Sequence, residues 1–84
     1  MAQIELCADV HAGPYLIAPD VMGDELQARF AQAGTLCSLE RNAMLNSDNE
    51  PVCLLCFGAG AVLGPISNVL NDGGYDWELA GLPE

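Results

Sequence analysis

The chain has 84 residues, 51% of them hydrophobic, and a mean hydropathy of +0.25. That is enough apolar material for one modest core, and it excludes a disordered acidic tail. Aspartate and glutamate number 12 against two arginines and no lysine, a net charge of −10, so the chain repels nucleic acid, anionic lipid and acidic substrates.

Residues 3–10, QIELCADV, alternate: Ile4, Leu6, Ala8 and Val10 point one way, Gln3, Glu5, Cys7 and Asp9 the other. This predicts a half-buried strand, broken by HAGPY at 11–15. Residues 20–33 read as a helix with Met22, Leu26, Phe30 and Ala33 on one stripe. Asp20 suits its N-cap, Asp24 and Glu25 suit the positive helix start, and Gly34 suits a left-handed C-terminal position. Gly23 weakens the first turn.

A second strand is expected over 35–41, then a polar connection over 42–50 rich in Asn and Asp. Residues 51–57, PVCLLCF, predict a third strand that is apolar on both faces. A short helix is expected over 62–72, with Pro65 in its first turn, Ile66, Val69 and Leu70 as its stripe, and Gly73-Gly74 as its stop. Residues 75–79, YDWEL, predict a last strand with Tyr75, Trp77 and Leu79 on one face and Asp76 and Glu78 on the other.

This order predicts an α+β fold, a ferredoxin-like βαββαβ sandwich: a four-stranded antiparallel sheet with two helices on one face. The expectation is a single domain over 1–84, with no repeat or linker. Residues 1–20 lack a basic n-region and carry Glu5, Asp9 and Asp20, so no signal peptide is expected. The longest uncharged stretch, Pro51 to Asn71, is interrupted by Gly58, Gly60, Gly64 and Pro65 and makes a poor membrane span. The reading is a cytoplasmic protein without a membrane partner, its Cys7, Cys37, Cys53 and Cys56 free thiols in a reducing compartment.

No motif names a chemistry. Cys53 and Cys56 resemble a CxxC pair, but residues three apart on a strand point to opposite faces, which spoils a shared zinc ion. Gly58 and Gly60 separate the pair from the next helix, which removes the helix terminus that activates a redox thiol. In GAGAVLG at 58–64 the third glycine comes one place late for a dinucleotide loop, because Leu63 stands there. Asp9 and His11 have no second histidine and no nucleophile beside them. Acid–base work by Asp24-Glu25 or Asp76-Glu78 needs a pocket that so short a chain has little room to build. No catalytic residue, metal ligand or cofactor is assigned, and the protein is read as no enzyme.

In the expected sandwich the open sheet face gathers carboxylates: Glu5 and Asp9 from the first strand, Asp76 and Glu78 from its neighbour the last, and Glu40 from the second. Asp24 and Glu25 form a second patch at the helix start. RNA-binding domains using this face need aromatic and basic residues on it, so direct nucleic-acid binding is disfavoured. A compact carboxylate array instead imitates a phosphate backbone and enters a basic groove on a partner. In size, charge and compactness the whole chain resembles the small acidic proteins that phages encode against host defence, among them anti-CRISPR proteins. The likeness rests on no residue motif. It implies an inhibitor, monomeric and in the host cytoplasm, that covers the DNA or guide-RNA groove of its target complex. The alternative from another class is a self-associating ferredoxin-like module that binds a small ligand or metal.

Overall fold

The computed structural model describes residues 3–8, 13–45 and 49–80. Strands β1 (Ile4–Cys7) and β2 (Tyr15–Pro19) are followed by a 3-10 turn (Asp20–Met22), helix α1 (Gly23–Gln32) and strands β3 (Ser38–Leu45) and β4 (Pro51–Cys56). Helix α2 (Leu63–Asp72) and strand β5 (Trp77–Ala80) complete the chain of elements. The strands form one five-stranded sheet in the order β3-β4-β2-β1-β5. Every neighbouring pair is antiparallel except β1 with β5, which is parallel.

The α+β class with two helices and a sheet is as expected, but the four-stranded, fully antiparallel sheet is not. The sheet has five strands and is mixed. The strand the sequence hides is β2, YLIAP, which lies at the centre of the sheet. Its helix-facing Leu16 and Ala18 and its opposite-facing Ile17 are all apolar, so it shows no apolar–polar alternation and reads like a loop after Gly13-Pro14. Setting β1 aside, the elements still run strand, helix, strand, strand, helix, strand, with lateral order β3-β4-β2-β5. The additional strand β1 is inserted between β2 and β5.

Register explains the core. Leu79, Leu6, Leu16, Leu55 and Leu39 form one row across all five strands. Leu6, Leu16 and Leu55 in its middle are buried, and Leu79 on the edge strand stays 46% exposed. Leu26 and Phe30 of α1 and Ile66 and Leu70 of α2 are buried in the same cluster, which puts both helices on one face of the sheet. Each such side chain contributes roughly 1.5–3 kcal/mol by leaving water. Phe57 meets Phe30 edge-on, with ring centroids 4.9 Å apart. The expected helix stripes hold at Leu26, Phe30, Ile66 and Leu70; Ala33 at the end of the first stripe is exposed.

Both helices stop by the same device. Gly34 (φ 80°) and Gly74 (φ 69°) take the left-handed conformation a side chain resists. The Gly34 and Thr35 amides donate to the Ala31 and Phe30 carbonyls, and the Gly74 and Tyr75 amides to those of Asn71 and Leu70. These are paired Schellman bonds at both C-termini. The starts differ from expectation. Met22, not Asp20, precedes α1, with no side-chain cap. Asp20 accepts instead from the Arg41 guanidinium of β3, at 3.1 Å. Gly23 opens α1, where a Cβ would lie 3.0 Å from a Leu39 methyl, so the missing side chain lets the helix start seat on the sheet.

β3 runs into the stretch read as a polar connection, with a register irregularity between Glu40 and Met44. Among the described residues no helix is long and apolar enough to cross a membrane.

Candidate functional site

The face of the sheet away from the helices is the candidate site. Its central row crosses every strand: Glu78 of β5, Glu5 of β1, Ile17 of β2, Leu54 of β4 and Glu40 of β3. Glu78 and Glu40 are exposed, and Glu5, Ile17 and Leu54 are partly exposed. With neighbouring strands about 4.8 Å apart, Glu5 and Glu40 stand roughly 14 Å from one another and Glu78 and Glu5 are immediate neighbours. The parallel next row holds Cys7, Tyr15, Cys56 and Ser38. At its β3–β4 end a shallow depression of about 410 Å³ is lined by Leu36, Cys37, Ser38, Cys56, Phe57 and Gly58. Leu36 on its rim is 80% exposed.

The expected carboxylate face is thus carboxylate at its two sides and apolar in its centre. Glu5, Glu78 and Glu40 are brought into one row. Asp76 is exposed just before β5, and its carbonyl accepts from the Ile4 amide. Asp9, with its neighbour His11, lies outside the described residues. The apolar centre was harder to read. Leu54 is visible in the two-faced strand PVCLLCF, but Ile17 belongs to the unforeseen strand. Tyr15 faces this side too, opposite Cys7, while Phe30, Phe57, Tyr75 and Trp77 pack towards the helices.

Asp24 and Glu25 do not join this face. Arg41 grips Asp24 at 2.9 Å and Asp20 at 3.1 Å, which ties β3 to the start of α1. Asp20 and then Asp24 hold the Arg41 guanidinium pKa above its ordinary value. Glu25 lies 3.8 Å from Arg29 and accepts a hydrogen bond from the Tyr75 hydroxyl, whose ring lies under the Arg29 guanidinium. Burial, and then Glu25, push the Tyr75 pKa up. Both arginines of the chain are therefore engaged with carboxylates of the first helical region, and neither pairs with Glu5, Glu40, Asp76 or Glu78.

The cysteines behave as their strand positions dictate. Cys53 is fully buried in the core and Cys56 is exposed on the open face, so the pair diverges. Burial pushes the thiols of Cys53, Cys37 and Cys7 above the ordinary range, which favours their protonated form. Among the described residues no three His, Cys, Asp or Glu side chains converge as a metal site would require. Comparison with protein-family models, curated proteins and solved structures finds no match to this chain.

Proposed function

We propose that this protein is a non-enzymatic acidic binding protein that mimics nucleic acid and blocks the basic groove of a nucleic-acid-binding complex. An anti-CRISPR protein of a phage that stops a CRISPR effector complex from binding DNA is the concrete form of this reading. The fold is then read as a ferredoxin-like sandwich elaborated by β1, acting as a monomer in the host cytoplasm. The observation that carries it is the charge layout: net −10, with both arginines already paired within the molecule and Glu5, Glu78 and Glu40 in one row on an open face. Such a surface projects an uncompensated negative field, which steers it towards basic grooves.

The test is a pull-down from host lysate with tagged protein, washed at low and then high salt, followed by competition with DNA and RNA. The expected outcome is a nucleic-acid-binding complex that releases at high salt and is displaced by nucleic acid. Reversing the charge at Glu5, Asp9, Asp76 and Glu78 weakens its capture more than equal changes at Asp24 and Glu25. A partner that survives high salt and ignores nucleic acid overturns the mimic. The self-associating module is the second reading, favoured by the partly exposed Ile17 and Leu54. Sedimentation equilibrium separates the two: a dimer supports it, a monomer the mimic.

A further inference from the structure

We infer that the occupant of the open sheet face is a cationic amphipathic helix of a partner protein, laid across the strands with an apolar anchor between two cations. This rests on the reading above, that the acidic surface engages a basic partner, and says what the partner must present.

The argument starts from the order of side chains in the central row: Glu78, Glu5, Ile17, Leu54, Glu40. The carboxylates of this row stand at its two sides, and two aliphatic side chains lie between them. Bare cations would leave Ile17 and Leu54 wet. The shallow depression at the β3–β4 end of the sheet borders this row at Cys56 and Ser38. Glu5 and Glu40 are roughly 14 Å apart at the usual strand spacing. A helix spans about 16.5 Å in eleven residues, three turns, so cations eleven apart fall on one face, within side-chain reach of Glu5 and Glu40, with apolar residues between them. A second copy of this chain is the wrong occupant. It carries −10 itself and would set its own carboxylates against Glu5, Glu78 and Glu40. Nucleic acid and anionic lipid are repelled for the same reason.

The probes are two fluorescein-labelled peptides that differ only in their centres. Both carry arginines eleven residues apart; one has leucines between them on the same helical face, and the other has glutamines there. Binding is read by anisotropy against the wild type, Ile17→Ser/Leu54→Ser and Glu5→Lys/Glu78→Lys. The leucine peptide is expected to bind at least about tenfold tighter, the return on burying one or two aliphatic side chains. The serine variant closes that gap and leaves the glutamine peptide unaffected, while the lysine variant weakens both. Amide shift changes in the wild type, which need no variant to fold, are expected to centre on Ile17, Leu54 and Cys56. Equal affinity for the two peptides, a gap that persists in the serine variant, or shifts centred elsewhere overturns the inference and leaves the basic-partner reading standing. No binding by either peptide overturns the inference alone, whereas a sedimentation dimer that buries Ile17 and Leu54 overturns both.

Discussion

Cys53 and Cys56 show how much three positions on a strand decide. Both belong to β4, yet one thiol packs among Ile4, Leu16 and Phe30 in the core cluster and the other faces solvent. Reactivity follows thiolate content and access, so the two are expected to differ sharply. Alkylation of the native protein with iodoacetamide, read by mass spectrometry of peptides, should label Cys56 first and leave Cys7 and Cys53 intact until denaturant is added. Cys37, half-buried and with its pKa raised by burial, should follow Cys56, and its rate should still be climbing at a pH where a free thiol has levelled off. Fast labelling of Cys53 in the native state would mean that the sheet and α1 do not pack as described. The residue scale also shows where charge is structural. Asp20, Asp24 and Glu25 hold Arg41, Arg29 and Tyr75, joining the start of α1 to β3 and to the segment before β5, and that local work takes them out of the acidic face.

At the scale of elements, the parallel pairing of β1 with β5 sets Glu5 directly beside Glu78. Like charges opposite one another in a sheet destabilise it, and nothing in the fold requires both. Glu78→Gln is therefore expected to raise stability by about 0.2–1 kcal/mol in urea denaturation at low salt, with the gain shrinking as salt is added. If partner capture falls in the same variant, the carboxylate pair is kept for binding at a cost in stability. A Glu78→Gln protein no more stable than the wild type would show that water screens the pair completely. The same pairing explains what was legible beforehand. Where one face was wet, periodicity placed most residues: Glu5 outward and Ile4 and Leu6 inward came from alternation, and Leu26, Phe30, Ile66 and Leu70 from helical spacing, while Cys7, read as outward, is buried and Ala33 of the first helix stripe is exposed. Gly34 and Gly74 marked both helix ends because only a left-handed residue completes their hydrogen bonds. What escaped was β2, whose Leu16 and Ala18 face the helices while Ile17 faces the other side. Without a polar face it carried no phase, and with it went the parallel contact, the fifth strand and the apolar middle of the candidate site.

Across the whole molecule, charge and burial make opposite demands that solution conditions separate. A net charge of −10 on 84 residues, with both arginines locally engaged, leaves a self-repelling surface. Asp72 adds to it by standing at the negative end of α2, where no basic residue offsets it. Salt should therefore move the urea midpoint upward while the slope stays constant, because screening changes repulsion and not the area exposed. Alkali acts through a different set of groups. Burial raises the pKa of Cys7, Cys37 and Cys53, and burial with Glu25 raises that of Tyr75. A group whose folded pKa lies above its unfolded value binds its proton more tightly when folded. Its contribution is complete below the unfolded value, about 8.5 for a thiol and about 10 for a tyrosine, and it is lost as pH rises through the folded one. Stability should hold level from neutrality to the thiol range and fall beyond it, more steeply than added negative charge explains, since salt will not restore it. Urea midpoints from pH 7 to 10.5, at low and high salt, test this. Cys53→Ala should flatten the alkaline fall even where it lowers the neutral plateau. A fall that high salt abolishes would assign the effect to surface repulsion and not to the buried thiols.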